Sequence, residues 1–268
     1  MSSLIFLGTR SSYRSDRFKT VSIILTLGNN NFLIDCNASI VSQLYAANIN
    51  PANINNVFIS HSHGDHTLGF PYLMFFKNLN MNQGISGSPV VSLYSTSEII
   101  AGLLSMTEFC YNDFPTYAFR VERIPVSPTH FDRREIPGLG SLLTAPVDHT
   151  TLTLGCRLEL QSPALTIAYS SDTLPCDNLL KLADRADILI QEAMFAAEKS
   201  EIGRKTKHAT GRQAGEIASK AKVKRLFLVH VHPSYGDDVQ QLKNEAEELF
   251  SGEITVPDDL HHVNLEEP

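Results

Sequence analysis

The sequence predicts an α/β (α+β) protein whose sheets are covered by helices, and three observations carry that prediction. Apolar, β-branched runs of strand length alternate with segments whose apolar residues recur at helical spacing. The N-terminal part reads as consecutive strands around an Asn/Gly-rich turn, so part of the sheet is antiparallel. At 268 residues with 43% hydrophobic content, the chain can bury a sizeable core yet is short enough for one domain. Residues 1–268 are therefore expected to form a single globular unit.

In order along the chain, "LIFLG" reads as a first strand and "TVSIILTLGNNNFLIDC" as two strands meeting at a hairpin over "GNNN". "SIVSQLYAANI" has helical spacing, and the turn residues of "NPANINN" end it before the strand "VFIS". "LGFPYLMFFKNL" is expected as a short helix broken near Pro71, "SPVVSLYS" as a strand and "SEIIAGLLSM" as a helix. Residues 107–140 mix Pro, Gly, Arg and aromatics without steady periodicity and read as strand and loop. Regular alternation of strand and helix resumes with "LLTAPVDHT", "LTLGCRLEL", "ALTIAYSSDT", "LLKLADRADILIQEAMF", "GRQAGEIASKAKVKRLFLVHV" and "DVQQLKNEAEELF". A last strand is expected between "EITVPDD" and "HHVNL". No repeat of solenoid length, low-complexity segment or dividing linker is visible.

Composition narrows the function classes. A net charge of −7 and a pI near 5.8 argue against a surface built for non-specific contact with a polyanion. Two local basic clusters, Arg10, Arg14, Arg17 and Lys19 and then Lys199, Arg204, Lys205 and Lys207, read as solvated surface. Cys36, Cys110, Cys156 and Cys176 are scattered, form no C-x-x-C and read as small core residues. No N-terminal targeting pattern is visible, and no apolar segment approaches the ~20 residues that cross a bilayer. A soluble cytoplasmic protein with no membrane partner is the expectation.

The chemistry concentrates in "FISHSHGDHTLGF". His61, His63, Asp65 and His66 follow a strand-like run, and Gly64 supplies backbone freedom to aim them inward. The pattern H-x-H-x-D-H arises by chance in such a chain with a probability of roughly 10⁻³. Imidazole and carboxylate suit zinc, manganese or iron, and the lack of thiolates favours an open catalytic site over a closed structural one. Four ligands in one turn exceed what a single tetrahedral ion with an open position can use, which points to two metals sharing further ligands. His149, Asp172 and His230 each follow an apolar strand-like run and are the candidates.

These residues, in this order, resemble the metallo-β-lactamase superfamily, and the resemblance covers almost the whole chain. Within it, "FLGT", "FISHSHGDHTLGFPYL", "DHTTLTLGCRLE", "YSSDT", "ILIQEAMF", "KHATGRQAGEIASKAKVKRLFLVH" and "PSY" are similar to segments of the ribonuclease Z group. The resemblance implies an αββα sandwich, two mixed sheets flanked by helices, with two divalent metals, most often zinc, at one sheet edge. It implies that His61, His63 and His149 hold one ion, Asp65, His66 and His230 the other, and that Asp172 bridges them. It places the last ligand directly after "LFLV", hence His230 rather than His232. A hydroxide between the two ions is a nucleophile at neutral pH, and Asp65 can orient it. The resemblance further gives His208 the role of proton donor to the leaving alkoxide, with Glu192 orienting it. Asp35 reads as an acceptor that fixes a ligand imidazole. His130, His261 and His262 read as surface residues, and a homodimer is an expectation from resemblance alone.

Two departures bear on substrate. Only 23 positions separate His149 from Asp172, room for two strands and a turn but none for the long arm with which relatives grip tRNA. The glycine-rich turn usual after "FLGTG" here reads "FLGTRSSYRSDRF". An acidic chain without the arm is expected to bind large RNA weakly. The reading is thus a dinuclear phosphodiesterase of ribonuclease Z type, acting on RNA 3′ ends or on small or cyclic phosphodiesters. The alternative is a lactone, ester or thioester hydrolase on the same fold, which has less need of His208; a non-catalytic binding module fits poorly with a full ligand set.

Overall fold

The computed structural model describes residues 2–12, 19–236 and 238–266. They carry two seven-stranded mixed sheets, each flanked by helices and each within its own compact unit: residues 2–8, 19–126 and 258–266 form one, residues 9–12, 127–236 and 238–257 the other.

In the first unit the strands lie in the order His261–Asn264, Ser2–Gly8, Ser22–Leu27, Asn30–Ile34, Asn56–Phe58, Val90–Ser95 and Arg120–Pro125. The first four pair antiparallel and the rest parallel. Gly28 takes the positive φ that the tight hairpin requires. Helices Ile40–Ala46, Phe70–Asn82 and Ser97–Cys110 bury Ile40, Leu44, Phe70, Leu73, Ile100 and Leu103 against Leu33, Val57 and Leu93 of the sheet. Pro71 does not break its helix. It sits in the first turn, where its missing N–H has no helical partner to lose. Just before it, a Cβ on Gly69 would come within 1.9 Å of the Asn37 carbonyl oxygen, so only glycine lets this turn close on the preceding loop.

One residue of that helix carries a testable electrostatic consequence. Lys77 is fully buried, donates from Nζ to the carbonyls of Ala52 (2.5 Å) and Ile54 (3.0 Å), and lies 5.2 Å from the Phe119 ring centre. Burial pulls its ammonium from 10.5 down to about 8. Because the folded chain releases this proton first, the unfolded chain binds more protons between those two pH values. The stability attributable to Lys77 therefore rises with pH across that window, by up to ~3 kcal/mol. Urea melts at pH 7.5 and pH 10 are expected to show the wild type gaining on Lys77→Met; a pH-independent difference between the two would refute the linkage.

The second unit orders its strands Glu253–Thr255, Arg225–Val229, Ile188–Glu192, Ala164–Tyr169, Thr153–Gln161, Gly140–Val147 and Asp132–Ile136. Here the first four are parallel and the others antiparallel. Helices Asp177–Ala183, Gly211–Ala221 and Gln240–Glu247 cover one face through Leu179, Ile217 and Leu242, packed with Leu189, Leu226 and Leu228. Thr210 and Gln213 form a capping box at the start of helix Gly211–Ala221. Gly211 and Gly215 share one helix face, where an added Cβ would come within 2.4–2.5 Å of the Leu242 and Ala246 carbonyls. Glycine at both positions is what lets the two helices approach.

Several expectations need correction. The final strand is two strands, Glu253–Thr255 and His261–Asn264, in different sheets, because Pro257 and the following turn end the first. The stretch 107–140, read as strand and loop, does hold strands Arg120–Pro125 and Asp132–Ile136, each the last of its sheet and rich in exposed charge, but its first residues, 107–110, complete helix Ser97–Cys110 instead. Of the cysteines only Cys36 and Cys156 are buried, Cys176 is partly so and Cys110 is exposed. Arg10 is buried rather than solvated, bridged to Val231, with its guanidinium donating to the Gly236 carbonyl at 3.4 Å. Arg14 and Arg17 lie outside the described residues. Among the described residues no helix is long and apolar enough to cross a membrane.

Candidate metal centre

In the first unit, the candidate side chains follow the C-terminal end of strand Asn56–Phe58, which lies parallel between Asn30–Ile34 and Val90–Ser95. His63 precedes the one-turn helix Gly64–Thr67, where Asp65 occupies the first turn and the Thr67 hydroxyl donates to the His63 carbonyl at 2.9 Å. Beneath them lies Asp35, fully buried at the end of its own strand. Its Oδ1 accepts the Ser60 N–H at 2.8 Å, and its Oδ2 accepts the Ser60 hydroxyl at 2.9 Å and the His66 Nδ1–H at 2.7 Å. The Ser60 oxygen in turn accepts from His61 Nδ1 at 2.9 Å. Both buried imidazoles are thereby held in the tautomer that presents a lone pair at Nε2, the arrangement metal-ligating histidines take. His61 Nε2 lies 3.0 Å from His63 Nδ1, and His66 Nε2 lies 3.5 Å from Asp65 Oδ2. The four residues of the H-x-H-x-D-H motif thus converge within this unit.

In the second unit, three parallel strands end on candidate residues. Strand Ala164–Tyr169 leads to Asp172, Ile188–Glu192 ends on Glu192, and Arg225–Val229 leads to His230. Clefts at the C-terminal ends of parallel strands are where open α/β sheets bind ligands. His230 Nε2 lies 3.2 Å from Asp172 Oδ2, both side chains being buried. Asp172, His208 and His230 each offer a ligand atom, all within 4.8 Å of one another. His149, after strand Gly140–Val147, donates from Nδ1 to the Lys207 carbonyl at 3.0 Å, which leaves Nε2 as its donor atom. The His208 ring lies 4.9 Å from that of His149 and stacks on His230 at 5.1 Å.

His208 itself is held by a carboxylate with no exposure to water. Its Nδ1–H donates to Glu192 Oε1 at 3.0 Å, while the same carboxylate accepts the backbone N–H groups of Thr173 (2.7 Å) and Ala209 (3.0 Å). These donors satisfy the buried charge and fix His208 with Nε2 pointing away from Glu192. His232 takes a different part: its Nδ1 accepts the Ser234 N–H at 3.2 Å at the start of the turn Pro233–Tyr235.

The donor set fits divalent metal ions. The imidazoles, those of His61, His66 and His149 with their Nδ1 already engaged, together with Asp65 and Asp172 form a thiolate-free N/O set suited to zinc, manganese or iron. Four non-glycine residues beside these groups, Asp35, Ser171, Lys207 and His230, adopt positive φ. Each such residue costs on the order of 1–2 kcal/mol, and such strain concentrates at functional sites. The sequence assigned no role to Ser60 or Thr173, and marked Lys207 only as a surface cation near His208 that supports phosphodiester chemistry. Thr173 works through both its hydroxyl and its N–H, and Lys207 through both its ammonium and its carbonyl, toward residues that the sequence alone does not bring alongside.

Comparison with known proteins places this geometry in a family. A family model described as Anti-Pycsar protein Apyc1 matches residues 2–250. The chain belongs to that family. This Apyc1-family chain is also similar to curated proteins named Ribonuclease Z. The one from Bacillus licheniformis is 27% identical over 302 residues, covering 97% of this chain and 98% of the relative. That from Methanothermobacter thermautotrophicus is 29% identical over 304 residues, covering 99% and 97%. Among solved structures, the metallo-β-lactamase fold protein YhfI from Bacillus subtilis has a TM-score of 0.81 at 21% identity, covering 98% of each chain. The short form of human tRNase Z has a TM-score of 0.80 at 20% identity, covering 98% and 99%. The Apyc1-family chain therefore has the metallo-β-lactamase fold, and the resemblance read from its motifs agrees with these relatives.

Proposed function

We propose that this metal-dependent hydrolase cleaves small phosphodiesters, cyclic ones included, with two divalent ions, zinc foremost, in its active site. The observation that carries the reading is His208, oriented through Nδ1 by the buried Glu192 and placed within reach of Asp172 and His230. A phosphodiester leaves an alkoxide that needs a proton, and an imidazolium presenting Nε2–H supplies one. On this reading His61, His63 and His149 hold one ion, Asp65, His66 and His230 the other, and Asp172 serves both. The ions, when bound, supply a hydroxide at neutral pH and neutralise charge on the phosphoryl oxygens. Asp65 orients the nucleophilic water, His208 delivers the proton to the leaving oxygen, and Glu192 keeps that imidazole in position as its charge changes. The whole chain acting as one catalytic domain, a homodimer and a cytoplasmic setting belong to the same reading.

Small substrates are favoured over precursor tRNA by what lies between His149 and Asp172. That span is occupied by strands Thr153–Gln161 and Ala164–Tyr169 and their short connection. The alignment with the Bacillus licheniformis relative runs over 302 residues against 268 in this chain, so the relative has segments this chain lacks. The net charge of −7 also weakens contact with a large polyanion.

The test is turnover by metal-loaded protein of 3′,5′-cyclic nucleotides of all four bases, bis(p-nitrophenyl) phosphate, a lactone and a precursor tRNA, each repeated after chelation. Cleavage of the cyclic and p-nitrophenyl diesters, abolished by chelation and restored by zinc or manganese, is expected. Accurate tRNA processing would overturn the small-substrate reading, and lactone cleavage alone would overturn phosphodiester chemistry altogether.

A further inference from the structure

We propose that Lys207 and Asp148 form a clasp that positions two candidate site residues at once, the ligand His149 and the proton donor His208. The clasp rests on the phosphodiesterase reading only for its kinetic consequence. Lys207 ends helix Ser200–Thr206 in the left-handed conformation, at φ 60° and ψ 46°. From that one residue three restraints diverge. Its ammonium pairs with the Asp148 carboxylate. Its carbonyl accepts the Nδ1–H of His149 at 3.0 Å. Its peptide bond leads directly into His208, whose own N–H is held by the Gly203 carbonyl at 2.8 Å.

The pair therefore closes a short ring. Asp148 and His149 are adjacent on one segment, Lys207 and His208 on the other, and the two segments are tied both by side chains and by the imidazole-to-carbonyl bond. Asp148 is also held from behind, since its N–H donates to the Thr173 hydroxyl at 3.0 Å while the Thr173 N–H donates to Glu192. The left-handed conformation is unfavourable for lysine, and the Lys207 and His208 N–H groups, both donating to the Gly203 carbonyl, hold the backbone in it. The ion pair is the restraint available on the side-chain side. Both partners are partly exposed, so the pair adds little to global stability. Its effect is local: it fixes where the Lys207 carbonyl points, and with it the orientation of the His149 ring. Lys207 and Asp148 are positioning residues, acting through His149 and His208.

The experiment compares Lys207→Met, Asp148→Asn and the charge-swapped Asp148→Lys/Lys207→Asp chain with the wild type. Zinc affinity by competition with a chromophoric chelator, kcat and KM on a 3′,5′-cyclic nucleotide, whose leaving alkoxide needs the His208 proton, and Tm of the metal-free protein are read for each. Each single variant is expected to weaken zinc binding about tenfold, the loss typical when the group orienting a ligand is disturbed. A similar fall in kcat is expected, with KM and Tm nearly unchanged, and the swapped chain is expected to recover most of both losses. A rise in KM with zinc affinity intact would overturn the proposal and make Lys207 a substrate contact. A swapped chain no better than the weaker single variant would overturn it too. Should no phosphodiester be hydrolysed even by the wild type, the functional reading fails while the zinc-affinity comparison still decides the clasp.

Discussion

His208→Ala is expected to hydrolyse a cyclic nucleotide about 10²–10⁴-fold more slowly than the wild type, the range typical for loss of a general acid. The same variant should lose much less on bis(p-nitrophenyl) phosphate, because p-nitrophenolate departs without being protonated. That contrast between leaving groups separates a proton donor from a residue that merely shapes the site. Glu192→Gln should show a smaller version of the same contrast. It keeps an amide oxygen for the Thr173 or Ala209 N–H but removes the charge that stabilises protonated His208. Steady-state kinetics on the two substrates decide it: equal losses on both, or near-normal turnover of the cyclic diester by His208→Ala, would remove the acid role.

Asp35→Ala should be the most damaging change outside the candidate ligands themselves. Its carboxylate gathers the Ser60 N–H, the Ser60 hydroxyl and the His66 Nδ1–H in a fully buried position. Truncation leaves these donors without an acceptor, at about 1–3 kcal/mol for each that water cannot reach. It also frees His66 directly, and His61 through Ser60, to rotate or change tautomer. Zinc affinity should fall about 10–100-fold, and the metal-free protein should lose about 2–4 kcal/mol. Asp35→Asn should fall between, since asparagine tolerates the positive φ at this position but offers one acceptor oxygen where the carboxylate offered two. Chelator competition and urea melts of the metal-free chains measure the two effects separately. An unchanged zinc affinity in Asp35→Ala would mean that the imidazoles are oriented by something else.

Much of this was legible from residue order alone. Strands and helices with an apolar face announce themselves through period, and so the hairpin at Gly28, the helix at Gly211–Ala221 and the strands that end at Glu192 and Val229 stand close to where the sequence predicts them. The motif at residues 61–66 was legible because metal chemistry restricts residue type and the backbone turn restricts spacing, and both are written locally. Pro71 was misread for a reason equally local: its effect depends on whether it falls inside a helix or in its first turn, a difference of a few residues that periodicity does not resolve. Edge strands such as Arg120–Pro125 were read only as part of a strand-and-loop stretch without bounds, because exposed charge erases the alternation that marks a strand.

What the sequence by itself determined was the kind of chemistry: histidines and carboxylates without thiolates, on a chain of alternating strands and helices, with no insertion between His149 and Asp172. What only the tertiary structure decided was how each of these side chains is held. Asp35 reaches Ser60 and His66 from 25 and 31 positions away, Glu192 reaches Thr173 and His208, and the Lys207 carbonyl reaches His149 across 58 positions. The physical reason is that a ligand's identity is a property of one residue, whereas its tautomer and aim are set by hydrogen bonds from whatever the fold brings alongside. Many of those partners are backbone groups, the same in every residue and therefore silent in a sequence.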